Sequence, residues 1–201
     1  HDMAKIELGT IIPRWEWRTF GEAFGVAEEN IKAHECTRAL ESSEVYILSK
    51  KSGENIKIRD TLMDIKVLRN AENDLEQWFP IMKATFPIGA EEAAEVFKAA
   101  GVEVELNEAD TWEYDAFISK MVDTNSDLKA VGVFKKRYGY MIEGATVEIA
   151  DLTIDGNAIR TTAVEDADPE LVTRLVAKLG LSEYENISYI KAMRRMVGFE
   201  D

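Results

Sequence analysis

Four short runs in this chain place charged side chains two residues apart: Arg14, Glu16 and Arg18; Lys57 and Arg59; Asp64 and Lys66; and Lys135 and Arg137. On an extended strand that spacing points side chains to the same face. A half-exposed antiparallel sheet with a solvated side explains any one of these runs. Their repetition argues for something else. The chain carries 24 Lys plus Arg against 38 Asp plus Glu, a net charge of −14, so solvent-facing strands are expected to be acidic. Instead Lys57, Arg59, Lys66, Lys135 and Arg137 concentrate cations on strands, while acids crowd helices and loops. If the apolar strand faces pack outward under helices, the basic faces line the inside of a barrel. A lumen of Lys and Arg suits a small polyanion, a polyphosphate or nucleoside triphosphate, because ammonium and guanidinium groups both hold phosphate oxygens through charge-assisted hydrogen bonds.

Other chemistries find little support. Cys36 is the only cysteine, which excludes an intramolecular disulfide framework and a cysteine-based zinc cluster. Of two histidines, His1 belongs to a His-Asp-Met run that reads as a tag remnant over residues 1–3, leaving His34 alone. The acidic balance argues against binding a nucleic-acid duplex or an anionic membrane. No apolar run approaches the roughly 20 residues that span a bilayer, and no signal peptide opens the sequence, so a cytoplasmic location is expected. The tryptophans Trp15, Trp17, Trp78 and Trp112, and Met193 and Met196, read as core.

The elements that must position the charged runs follow from periodicity. Gly9 to Gly21 alternates as a two-sided strand, and Glu22 to about Leu40 has helical spacing. Val45–Ser49, Asn55–Asp60, Met63–Leu68 and Glu76–Phe86 read as strands, the last interrupted or at an edge because of Pro80 and Pro87. Gly89–Gly101 is a glycine-bounded Ala/Glu-rich helix, and Val102–Leu106 is expected to return as a strand. Tyr114 to about Leu128 leans helical. Ala130–Tyr138, Tyr140–Ile154 and Ala158–Glu165 read as a meander turning at Tyr138-Gly-Tyr140 and at Asp155-Gly-Asn157. Asp168-Pro-Glu170 starts a helix that Gly180 stops, and Ser188 to Val197 forms another. The expectation is an α+β fold: one domain over residues 1–201, with about eight antiparallel strands closed into a barrel and helices packed outside.

From Pro13 to Val197 the chain resembles the CYTH superfamily, the triphosphate tunnel metalloenzymes. The likeness lies in Arg14-Trp-Glu-Trp-Arg18, Asn55-Ile-Lys-Ile-Arg-Asp60, Leu62-Met-Asp-Ile-Lys66, Lys135-Lys-Arg137 and Ser188-Tyr-Ile-Lys-Ala192. It implies an eight-stranded tunnel that binds triphosphate compounds and cleaves them with Mg²⁺ or Mn²⁺; class IV adenylyl cyclases of this superfamily cyclise ATP. In the family's opening Glu-x-Glu-x-Lys motif, Glu16 and Arg18 fill the last two slots and Arg14 replaces the first glutamate. Of a late Glu-x-Glu pair only Glu165 is kept, with Ala163 in the other place. The resemblance implies phosphate contacts from Lys57, Arg59, Lys66, Lys135 and Arg137, and the cations Arg14 and Arg18 are expected to hold phosphate beside them. It implies metal ligation by Glu16, Glu165 and one of Glu148 or Asp151. These two point to opposite strand faces, and parity alone does not choose between them.

Three functions are therefore expected in order. The first is metal-dependent hydrolysis of a small triphosphate, with Glu16, Lys66 and Arg137 as catalytic residues. The second is triphosphate or organic-phosphate binding without turnover, suggested by Arg14 and Ala163. The third is ATP cyclisation. A homodimer is compatible with the sequence and not specified by it.

Overall fold

Four two-residue turns set the strand plan. Asp60-Thr61, Asn73-Asp74, Glu143-Gly144 and Asp155-Gly156 each have positive φ at both positions, the conformation whose twist matches that of the strands in a tight hairpin. The computed structural model describes residues 12–200; the expected strand start at Gly9 and the tag remnant lie outside them. The four turns join β3 (Asn55–Arg59) to β4 (Leu62–Glu72), β4 to β5 (Leu75–Thr85), β8 (Leu128–Ile142) to β9 (Ala145–Ile154), and β9 to β10 (Asn157–Asp166). With β1 (Arg14–Gly21) and β2 (Cys36–Ser49) they close an eight-stranded barrel in the order β1-β10-β9-β8-β2-β3-β4-β5, with antiparallel pairing throughout. A separate ribbon pairs β6 (Ile88–Gly89) with β7 (Thr111–Trp112).

Two irregularities shape the barrel. Pro80 pairs with Lys66 while Met82 pairs with Ile65, so Ile81 is an extra residue. The bulge accommodates a proline that has no N–H for the ladder. Closure between β1 and β5 is short, covering only Arg14–Glu16 against Glu76–Trp78. Past Glu16 the free edge of β1 is covered instead by residues 186–187: the Arg18 N–H donates to Asn186 Oδ1 at 2.9 Å, and the Ile187 N–H donates to Arg18 O at 2.7 Å.

The helices are terminated as their sequences require. In α2 (Ala90–Ala100) the Glu92 carboxylate accepts from the Gly89 N–H at 2.7 Å, and Gly101 ends the helix at φ 71°. In α4 (Pro169–Leu179) Asp168 caps the Glu170 N–H at 3.0 Å and Gly180 ends it at φ 86°. Apolar residues on the outer faces of β3, β4 and β5, including Ile56, Met63 and Met82, pack against Val96 and Phe97 of α2 and against Phe117. On the other side, Trp17, Val147 and Val164 pack with Ile31 of α1 (Gly25–Lys32) and Leu175 of α4. Each such side chain contributes roughly 1.5–3 kcal/mol when fully buried. A third cluster lies inside the barrel, where α5 (Tyr189–Val197) fills one end: Tyr189, Ile190 and Met193 pack against Leu48, Val131, Val133 and Leu152. Among the described residues, no helix is long and apolar enough to cross a membrane.

Several expected boundaries move. The helix expected from Glu22 to Leu40 stops at Lys32, and Cys36–Ser49 is one continuous strand paired along β8. The strand β8 runs straight through Tyr138-Gly139-Tyr140, and the chain reverses at Glu143-Gly144. Val102–Leu106 forms no strand; its alternating Val102, Val104 and Leu106 pack on the outer core without a partner strand. The stretch from Tyr114 is helical only to Phe117 (α3), followed by a π-helical turn to Val122.

Candidate functional site

Strand parity and barrel closure together build a charged cavity. Arg14, Glu16 and Arg18 of β1 face inward, as do Lys57 of β3, Lys66 of β4, Lys83 of β5, Lys135 and Arg137 of β8, and Glu165 of β10; all line a cavity of about 290 Å³. A connected recess adds Arg38, Glu148 and Thr146. The basic residues that the sequence placed on separate strands therefore converge on one volume, except Arg59, which does not line it and lies 3.7 Å from Glu44.

The acids in this lumen are held by its cations. Glu16 accepts from Arg18 at 3.2 and 3.3 Å. Glu148 accepts from Arg137 Nε at 2.6 Å and lies 3.4 Å from the Arg18 guanidinium. Burial alone would push the Glu148 carboxyl up, but Arg18 and Arg137 outweigh it and hold it below the ordinary range. Asp151, the competitor of Glu148, faces outward: it accepts from Arg160 Nε at 2.8 Å, and Arg160 also grips Glu28 at 2.9 Å. Asp151 is thus excluded from the lumen. Arg14 lies 3.5 Å from Glu165 and donates to Thr146 Oγ1 at 3.0 Å and to Glu165 O at 3.3 Å. Among the described residues Lys66 makes no ion pair, so its ammonium is available to a ligand.

Glu44 is a central residue that the sequence reading did not single out. Its buried side chain lies 2.7 Å from Lys135, 3.9 Å from Lys57 and 3.7 Å from Arg59. The Ser42 and Tyr46 hydroxyls donate to it at 3.0 and 3.3 Å. Burial opposes its ionisation, yet Lys135 and Lys57 bring it down to about 2. In turn, burial pulls Lys135 down to about 7 despite Glu44. Arg38 was missed for the same reason as Glu44: both stand on the part of β2 whose sequence shows no alternating apolar face.

Whether the acids can seat a divalent ion is a question of donor set. Glu16 and Glu165 are direct cross-strand partners, and burial together with Glu16 raises the Glu165 carboxyl above its ordinary range. Two carboxylates that repel each other on one inner wall suit a hard cation such as Mg²⁺, which commonly takes one or two carboxylates and completes its shell with water and phosphate oxygens. The third expected ligand, Glu148, is directed to Arg137 and Arg18. Among the described residues, no group of three Asp, Glu, His or Cys side chains is arranged to hold a metal by itself. The fit is therefore to a two-carboxylate seat that a phosphate ligand must complete.

Neither a family model nor a curated protein of similar sequence matches the chain. Among solved structures, a putative adenylyl cyclase from Hippeastrum, described as having a dominant triphosphatase activity, aligns with a TM-score of 0.50 at 13% identity. That alignment covers 91% of this chain and 96% of the plant protein. The fold is CYTH-like. A putative adenylate cyclase from Bacillus halodurans aligns at 12% identity and TM-score 0.48 over 90% of this chain and 98% of its own. A conserved hypothetical protein from Pyrococcus furiosus does so at 19% and 0.47 over 88% and 98%. The likeness is one of fold, and the charges described above are this chain's own filling of the CYTH-like barrel.

Proposed function

We propose that the protein hydrolyses a small triphosphate-containing molecule inside the barrel. The observation that carries this reading is the convergence of Arg14, Arg18, Lys57, Lys66, Lys135 and Arg137 on one cavity in a chain of net charge −14. The triphosphatase activity described for the Hippeastrum protein of similar fold supports the same class of substrate.

Lys57, Lys66 and Arg137 hold phosphate oxygens and offset charge that develops on them as the bond to the departing phosphate breaks. Glu148 keeps Arg137 and Arg18 in place, and Glu44 keeps Lys135, Lys57 and Arg59 in place. Glu16 and Glu165 are the residues that would hold Mg²⁺ or Mn²⁺; the ion, when bound, supplies Lewis-acid charge stabilisation at phosphate oxygens. Water is the attacking group, and the cavity wall contains neither Cys nor His among its described residues. Phosphate release from inorganic triphosphate, thiamine triphosphate and ATP, measured with Mg²⁺ or Mn²⁺, tests the proposal. Turnover of at least one is expected, and Arg137→Ala should lower it by about 10²–10³-fold. No turnover of any refutes it.

A second reading, triphosphate binding without turnover, has a specific observation in its favour: Arg14 is already paired to Glu165, one of the two metal-seat carboxylates. Calorimetry separates the readings, since affinity indifferent to EDTA goes with binding alone. ATP cyclisation is distinguished by chromatography of the product.

A further inference from the structure

We propose that the first turn of α5 is the inner end of the anion site, and that the Tyr189 hydroxyl donates a hydrogen bond to the terminal, unsubstituted phosphate of the ligand. This rests on the triphosphate reading above and goes beyond it, because it fixes which end of the ligand enters first.

Tyr189 and Ser188 both line the charged cavity. Tyr189 is only 8% exposed, and its hydroxyl has no hydrogen-bond partner among the described residues. Buried hydroxyls are nearly always paired, so one that is not needs an explanation. The ring is fixed on several sides. It stacks on Tyr46 at 5.7 Å and meets Phe20 edge-on at 5.1 Å. The Lys135 ammonium and the Arg18 guanidinium lie 4.2 and 4.3 Å from its centroid. Burial pushes the pKa of its hydroxyl up, with Glu148 and Glu16 acting in the same direction and Arg18 and Arg137 against them. The phenol therefore stays protonated and acts as a donor. A phosphate oxygen between Arg18 and Arg137 is the acceptor the surroundings favour.

The helix adds to the same preference. The N–H groups of its first residues, Tyr189 and Ile190, have no acceptor within the helix, and its N-terminal end is electropositive. Ser188 Oγ accepts from the Lys191 N–H at 3.3 Å, which caps the turn. The position of this end is not adjustable: residues 186 and 187 are bonded to the main chain of Arg18, whose side chain grips Glu16 and Glu148.

Beyond Tyr189 the lumen is occupied by buried Ile190 and Met193 packed against Leu48, Val131 and Leu152, an apolar surrounding in which an unpaired charge is costly. A phosphate chain must stop there. Its inner end is then a free terminal phosphate, and any organic group lies at the mouth, beside Pro13, Trp78 and Pro80. The specificity predicted is for linear triphosphates esterified at one end or at neither.

The test is isothermal titration of the full chain and of Tyr189→Phe, in EDTA, with inorganic triphosphate, ATP and a dinucleoside triphosphate blocked at both ends. The wild-type chain should bind the first two and not the third. The variant should bind inorganic triphosphate about tenfold more weakly, with a melting temperature no lower than wild type, because the lost hydroxyl had no protein partner. Equal triphosphate affinity in the variant, or tight binding of the doubly blocked compound, overturns the inference while leaving the triphosphate site intact. A wild-type chain that binds neither inorganic triphosphate nor ATP, both in EDTA and with Mg²⁺ added, overturns the triphosphate reading itself.

Discussion

The two halves of the barrel lumen are built from the same strands and the same side-chain parity, yet they are chemically opposite. The inward row of β8 runs Val131, Val133, Lys135, Arg137; that of β9 runs Glu148, Ala150, Leu152, Ile154; that of β1 runs Arg14, Glu16, Arg18, Phe20; and that of β2 runs Glu44, Tyr46, Leu48. All four change character at one level, where Tyr189 lies. On the far side α5 fills the barrel and apolar burial is stabilising. On the near side charges have been taken partly out of water, which costs free energy that pairing only partly returns. Strand parity thus decides that a side chain faces inward, while depth along the strand decides whether it meets helix α5 or the charged cavity.

The largest effect should come from breaking the charged half at its hub. Glu44→Ala leaves Lys135, Lys57 and Arg59 without their shared counter-ion, and urea unfolding should show a loss of ~3–5 kcal/mol. Met193→Ala attacks the apolar half instead; the expected cost is ~2–5 kcal/mol, with triphosphate affinity retained by the folded fraction. If it abolishes binding at temperatures where the variant is folded, the two halves are not separable. The mildest probe is pH. Burial brings Lys135 down to about 7, so it is cationic below that pH and loses its charge above it. Metal-free affinity for triphosphate should therefore fall between pH 6 and 8, by at most about tenfold per pH unit if one proton is linked. An affinity flat across that window would mean that Lys135 keeps its charge, or that it does not hold the ligand.

Much of the charged half was legible because alternation is a local signal. Arg14, Glu16 and Arg18, or Lys135 and Arg137, declare a shared face without any knowledge of the fold, and the number of strands followed from the hairpins. Glu44 and Arg38 were hidden by the opposite circumstance. From Cys36 to Ser43 the strand is exposed or half-buried on both faces, so no hydrophobic period marks it, and its few apolar residues were absorbed into the preceding helix. Val102–Leu106 errs the other way: alternation gave an extended segment whose apolar side is covered, but pairing requires a neighbouring edge, and none of the described strands pairs with it. Glu148 and Asp151 needed the assembled barrel, because only closure decides which face is inside.

The strap from residues 186–187 to Arg18 bears on the timing of biosynthesis. Arg18 and Asn186 are 168 positions apart in the chain, and β1 finds its long partner only in β10. On the ribosome the β3–β5 and β8–β10 meanders can pair as each emerges, since their contacts are local. The wall carrying Glu16 and Glu165, and the helix end carrying Tyr189, have to wait. A nascent chain therefore exposes Lys and Arg on open strands before the barrel closes, and the charged cavity is complete only once residue 189 has cleared the exit tunnel.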